Sequence, residues 1–137
     1  NAIEFPRPMI HHKNYDFSFA GLKTAVYYDT RNKKLGRKQK ANVAASFQEA
    51  AVDVLISKTM RATEEFNAKS VILAGGVAAN AALRKRLEKE CEKLGRKFFV
   101  SSIKYSGDNA AMIAAAAYIN ILKGKRYRIT AQANLNL

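Results

Sequence analysis

The 137-residue chain holds a single cysteine, Cys91. One thiol can form neither an internal disulfide framework nor an all-cysteine metal site, so the fold has to rest on packing. A reduced, cytoplasmic setting is the default expectation. No apolar run approaches the roughly 18 residues of a spanning helix, which excludes one from the sequence. No charged-then-apolar leader opens the chain. Its two histidines, His11 and His12, are adjacent. Neighbouring side chains on extended backbone point apart, so they make a poor metal pair and read as surface or interface histidines. Acidic side chains are also scarce: 11 Asp and Glu stand against 24 Lys and Arg, a formal net charge of +13.

What is present is globular in balance, with 48% apolar and 26% charged residues, and the length suits one domain or one piece of a larger chain. The excess positive charge has two readings: a polyanionic partner, most simply RNA or DNA, or a solvated surface that keeps the protein in solution. Basic residues gather at Arg31 to Lys40, at Arg84-Lys85-Arg86 and at Lys123 to Arg128. Neither an RNA-recognition signature nor zinc-finger spacing narrows the choice.

Along the chain, Asn1 and Ala2 are compatible with the remnant of a cleaved tag. Phe5-Pro6-Arg7-Pro8-Met9 cannot be helical, because two prolines fix the backbone and restrict the residues before them. Asp16 to Gly21 reads as an extended or turn segment feeding a helix from Leu22 to Thr30. Arg31 to Lys40, centred on Gly36, reads as a mobile loop. From Asn42 to Phe66 the period is helical. Val43, Phe47, Ala50 and Val54 form one apolar stripe, and Leu55, Thr59, Ala62 and Phe66 a second, so the helix is expected to pack on two sides. Ser70 to Ala74 reads as a buried parallel strand. A helix over Ala78 to Leu94 follows, with Ala79, Leu83, Leu87 and Leu94 inward and Gly95 as its left-handed C-cap. Lys97 to Val100 is a second strand, and an alanine-rich helix runs from Asn109 to Lys123 up to Gly124. The order implies an α/β fold, mostly helical with a short parallel sheet and a right-handed crossover.

Chemistry has few places to sit. Leu73-Ala74-Gly75-Gly76-Val77-Ala78-Ala79-Asn80 joins a strand to a helix through two glycines. Glycine lets a ligand approach the backbone, a helix N-terminus favours negative charge, and ligands of open α/β sheets bind at the carboxyl ends of strands. Gly75, Gly76 and Asn80 are therefore candidates for a nucleotide, against the plainer reading of a tight turn; the pattern is neither G-x-G-x-x-G nor a Walker loop. Asp108, before the alanine-rich helix, is an N-cap by position or a carboxylate ligand by chemistry. Glu49 and Asp53 are four apart on one helical face, an arrangement open to an acid pair but read in favour of a solvated face. Cys91 reads as structural. Ser18 and Thr24 have no histidine at motif spacing, so no catalytic residue is assigned.

Five segments occur in one order: Phe5-Pro6-Arg7-Pro8-Met9, Asp16 to Thr24, Ala44 to Ala50, Leu73 to Asn80 and Gly107 to Ala114. Together they resemble the C-terminal part of the tRNA N6-adenosine threonylcarbamoyltransferase family, formerly called O-sialoglycoprotein endopeptidase or glycoprotease. The likeness covers residues 3–137. It implies a partial actin-like ATPase fold, related to sugar kinases, the Hsp70 chaperones and RNase H-like domains. It implies transfer of threonylcarbamoyl from threonylcarbamoyl-adenylate to N6 of the adenosine beside the tRNA anticodon, with other proteins of the threonylcarbamoyladenosine synthesis complex as partners. Carried over, Gly75 and Gly76 line the adenylate or an ATP-type nucleotide, Asn80 contacts it, and Asp108 is one ligand of an iron or zinc ion.

The family's His-x-x-x-His ligands and first phosphate loop have no counterpart here, so the chain reads as a fragment lacking the N-terminal half and inactive alone. Ala20 stands where many relatives have Ser, and Ser106-Gly107 where bacterial members commonly have Cys-Thr. Removal of the N-terminal half is expected to expose apolar surface on the long helix or on the alanine-rich one, with homodimerisation as a consequence. Two alternatives stand beside this reading: another actin-like kinase, and a non-catalytic basic module that binds RNA or a protein partner.

Overall fold

A computed structural model describes residues 3–107 and 110–125. The elements run α1 (Ala20–Thr30), α2 (Arg37–Glu65), β1 (Ser70–Leu73), a 3-10 turn (Gly76–Ala79), α3 (Ala81–Lys93), β2 (Lys97–Val100), a second 3-10 turn (Ile103–Tyr105) and α4 (Ala110–Leu122). β1 and β2 pair in parallel, with Ser70 opposite Lys97 and Leu73 opposite Val100. The expected α/β arrangement, mostly helical with a short parallel sheet, is what forms.

α2 is the axis. Its 29 residues contain no glycine or proline, and it packs on two sides as its wide apolar surface requires. On one side Phe5, Leu22, Val43 and Ala50 form a core with α1 and the N-terminal segment. On the other, Val52, Ile56, Leu83 and Leu87 form a core with α3, supported by Leu73 and Phe98 from the strands. The first expected stripe is right at Val43, Ala50 and Val54. The second is displaced: Val52 and Ile56 are buried, whereas Phe66 is exposed. Phe66 is the helix's C-cap, and Asn67 beyond it adopts a positive φ of 45°, so the chain turns away before Phe66 reaches the core.

Other boundaries shift for local reasons. α1 begins at Ala20. The basic loop ends at Gly36, because the Gly36 N–H donates to Gln39 Oε1 at 2.9 Å and starts α2 there. α3 begins at Ala81 instead of Ala78, because Asn80 supplies the N-cap; the Leu83 N–H donates to Asn80 Oδ1 at 3.0 Å. The inward face of α3 is Leu83, Leu87 and Cys91, and Ala79 is exposed while Ala78 is buried. Gly95 does take the left-handed C-cap (φ 62°), with Arg96 N–H returning to Cys91 O at 2.8 Å. Burial pushes the Cys91 thiol up, as does Glu90 beside it, in line with an inert structural cysteine.

β1 is not the buried strand the sequence suggests. Its inner face packs on the second core, but Ile72 is 73% exposed and its partner Phe99 is 52% exposed. A two-stranded sheet with helices on one side covers one face only. No residue of α4 is buried, although Met112, Ile113, Tyr118, Ile119, Ile121 and Leu122 are all large and apolar. The exposed apolar surface expected of the alanine-rich helix is there.

The segment before α1 lacks regular structure and is strapped onto α2. The Ile3 N–H donates to Ser46 Oγ at 3.0 Å. Arg7 donates through Nε and Nη2 to Asp53 Oδ2 at 3.0 and 2.9 Å, and Arg86 of α3 donates to Asp53 Oδ1 at 2.6 Å. Asp53, read as a solvated carboxylate, instead ties three parts of the fold together. Burial raises its pKa, but the hydrogen bonds from Arg86 and Arg7 outweigh that and hold it below the usual value.

A depressed carboxyl stabilises the fold above its unfolded pKa, and that contribution is lost as pH falls through the folded value. Asp53→Asn is expected to destabilise by about 1–3 kcal/mol at pH 7 and by much less near pH 3. Urea titrations of both proteins across that range check it; equal differences at both ends would exclude the ionised triad as the cause.

Candidate functional site

The glycine turn leaves the carboxyl end of β1. Gly75 has φ 83° and ψ 178°, a conformation that L side chains rarely adopt, and its carbonyl accepts the Ala78 N–H at 3.0 Å to close the 3-10 turn. Gly76 differs. Its backbone is not left-handed, and a Cβ built on it meets nothing within 4 Å. The conformation of the turn therefore demands glycine at Gly75 but not at Gly76, and open space lies over the backbone at both.

Beside the turn lies a cavity of about 640 Å³, bounded by Phe19, the α2 residues Phe47, Gln48, Ala51 and Leu55, the strand end Leu73-Ala74, and Val77 and Asn80. Its walls are mainly apolar and its size suits a nucleoside-sized ligand. The polar groups at its edge are the Gln48 and Asn80 amides. Asn80 Nδ2 donates to Gln48 Oε1 at 2.9 Å while Asn80 Oδ1 caps α3. One Asn80 amide hydrogen remains for a ligand beyond these two bonds. The α3 N-terminus is one 3-10 turn further from the glycines than the sequence suggests, so the amides nearest them belong to that turn.

Arg84 holds the turn from behind. Its Nε donates to Ala78 O, and its Nη2 donates to Ser101 O at 3.1 Å and reaches Ser106 Oγ at 3.5 Å. Ser106 is buried, and its hydroxyl also lies 3.1 Å from Ser101 Oγ and from Ser102 O. The glycine turn, the end of β2 and the residue two before Asp108 are thus joined through one guanidinium. In the sequence Arg84 belongs to a basic cluster. Its one distinguishing signal is the spacing of four from Asn80, which aims it back at the preceding turn. Gln48 carried no comparable signal.

Asp108 lies outside the described residues. Among the described residues, no three His, Cys, Asp or Glu side chains gather into a group that could hold a metal ion. His11 and His12 are exposed and Glu49 is exposed on α2. No helix among the described residues is long and apolar enough to cross a membrane.

The family model described as TsaD, tRNA N6-adenosine threonylcarbamoyltransferase, matches residues 1–115. The chain belongs to that family. Its actin-like ATPase fold accounts for a glycine turn placed at the end of a parallel strand. Proteins named tRNA N6-adenosine threonylcarbamoyltransferase are 44% identical in Thermosipho africanus, over all of this chain and 42% of the relative. In Limosilactobacillus fermentum the figure is 46%, over 92% of this chain and 38% of the relative. In Bacillus cereus it is 45%, over 99% and 40%. The chain therefore spans about two-fifths of the length of these curated relatives.

The cap geometry yields a direct test. Asn80→Ala removes the α3 cap and the link to Gln48, and is expected to destabilise by about 1 kcal/mol. Asn80→Asp keeps the cap and should recover most of that loss. Thermal melts of the three proteins read it; an Asp variant as unstable as the Ala variant would mean the cap is not what Asn80 supplies.

Proposed function

We propose that this chain is part of an enzyme that transfers a threonylcarbamoyl group from threonylcarbamoyl-adenylate to N6 of the adenosine next to the tRNA anticodon. The observation that carries the reading is the open backbone at Gly76 beside an apolar, nucleoside-sized cavity, in a chain of this family. In this reading the cavity takes the base, with the Gln48–Asn80 amides at its edge. The glycine turn faces the ribose and phosphate, where backbone amides favour negative charge. The N6 amine attacks the carbamoyl carbon and forms the new C–N bond. The anhydride C–O bond breaks, AMP leaves with its electrons, and N6 gives up a proton. No side chain of this chain is assigned as the proton acceptor.

The described residues do not assemble a metal site. We keep Asp108 as one carboxylate ligand of an iron or zinc ion, with the other ligands supplied from outside this chain. Such an ion would polarise a carbonyl as a Lewis acid. The same reading places the protein in the cytoplasm, with tRNA and the other proteins of threonylcarbamoyladenosine synthesis as partners.

Two substitutions in the full-length protein that carries this chain test the proposal. Gly76→Ala has space and an ordinary backbone conformation, so its melting temperature should stay close to that of the parent. AMP affinity by calorimetry should fall at least about tenfold, because the Cβ occupies the ligand's approach. Unchanged affinity would remove the turn from the site. Asp108→Ala should lose bound metal by elemental analysis, together with transfer activity; full metal content at full rate would end its assignment as a ligand.

A further inference from the structure

The positive charge of the chain is not spread evenly once the structure is known. Of the Arg84-Lys85-Arg86 cluster, Arg84 is turned onto backbone carbonyls and Arg86 is paired with Asp53. Arg7 is likewise paired with Asp53, Lys58 is buried, and Arg61 and Arg96 donate to His12 O, Asn14 O and Asn67 Oδ1. These cations serve the fold.

The elbow between α1 and α2 is different. Arg31, Lys33, Lys34, Arg37, Lys38 and Lys40 fall within ten residues that contain no carboxylate, and all six are exposed. Among the described residues, one of them forms an ion pair, Lys33 with Asp29 at 2.6 Å. At the end of α1 that feeds this elbow, Tyr27 and Tyr28 are each 60% exposed, with ring centroids 5.6 Å apart. The Arg31 guanidinium lies 4.5 Å from the Tyr28 ring centroid and 5.9 Å from that of Tyr27. Aromatic faces set against a cation, with unpaired cations following, are what unpaired nucleotides bind: bases stack on the rings while lysine and arginine hold the phosphates.

We propose that the α1–α2 elbow is an RNA-contacting surface, gripping the backbone through Lys34, Arg37, Lys38 and Lys40 and stacking an unpaired base on the Tyr27–Tyr28–Arg31 platform. It rests on the reading of tRNA as the substrate and adds where the RNA lies. The surface is distinct from the glycine turn and its cavity, so the two can be altered separately. An unpaired loop is favoured over a plain duplex, because a base must be free to stack.

Fluorescence anisotropy of the chain with unmodified tRNA and with a blunt RNA duplex, over a salt series, tests it. tRNA is expected to bind more tightly than the duplex. The triple variant Lys34→Gln, Arg37→Gln, Lys38→Gln should weaken tRNA binding at least about tenfold and reduce the log–log salt slope by about 2, since each cation released from a single strand contributes about 0.7. The pair Tyr27→Ala, Tyr28→Ala should weaken tRNA binding several-fold with the slope unchanged. Absence of RNA binding, or a triple variant with the parent's affinity and slope, overturns the inference. So does stronger capture by phosphatidylglycerol vesicles than by RNA at the same salt, which would make the patch a lipid surface.

Activity of the full-length protein separates this inference from the reading beneath it. Transfer to tRNA with an unchanged KM in the triple variant sinks the elbow alone. Elbow-dependent RNA binding without any transfer sinks the reading alone.

Discussion

Lys58 is 1% exposed and, among the described residues, pairs with no carboxylate. It donates instead to Asp16 O at 2.6 Å, Asn14 O at 3.1 Å and Asn14 Oδ1 at 3.3 Å. One turn along α2, Arg61 donates to His12 O and Asn14 O. A buried cation is tolerable only when its donors are saturated. A strap broken by two prolines has backbone carbonyls that no sheet or helix satisfies. At Lys58 each requirement meets the other and pins the strap to α2; Arg61 adds to it through Nη2 while its buried Nε has no partner among the described residues. Tyr15, whose hydroxyl donates to Glu65, holds the far end of the same seam.

With the strap fixed, the rest follows in layers. Phe5 and Phe19 are carried in over α2, where Phe5 joins the first core and Phe19 becomes a wall of the cavity beside the glycine turn. Asp53 sits between the strap and α3, so the position of the N-terminal segment is coupled to the helix that the turn feeds. α3 in turn carries Arg84, which braces the turn against the end of β2. Among the described residues, the candidate site has the Gln48–Asn80 amide pair as its polar edge and is otherwise mainly apolar. It is a gap between elements whose spacing is set by partly exposed ion pairs and charge-assisted hydrogen bonds elsewhere.

Much of this was legible in the sequence because it depends on local rules. The helical period of α2, the β-branched run of β1, the strand Lys97–Val100 and the left-handed Gly95 are each set by neighbours a few residues away. The glycine turn was legible for the same reason. What the sequence hid depends on partners far along the chain. Asp53 looks solvated until Arg7, 46 residues away, and Arg86, 33 residues away, arrive beside it. Lys58 looks like one more surface lysine until Asn14 and Asp16 cover it. Asn80 read as a ligand contact, and its capping of α3 became visible only when the intervening 3-10 turn moved the helix start to Ala81. Asp108, the metal assignment drawn from the family resemblance, lies outside the described residues, so the structure leaves it as the sequence had it.

Two kinds of surface remain, and they differ in what water does to them. The outer face of the sheet, with Ile72 and Phe99, and the uncharged helix α4 have the composition of an interior. Leaving them wet is unfavourable by roughly 25 cal/mol per Å² of apolar area. Such faces gain from being covered and carry no information about which anion the protein meets. The elbow is the reverse. Its lysines and arginines are well hydrated and gain little from burial, so their concentration there is not a packing solution. A stretch of ten residues with six cations and no acid repels itself, and among the described residues the neighbouring helices neutralise one of the six, Lys33 through Asp29 of α1. The like charge that remains attracts counterions or a polyanion. The cations that the fold needed are already engaged at Asp53 and along the strap, which leaves those of the elbow for a partner.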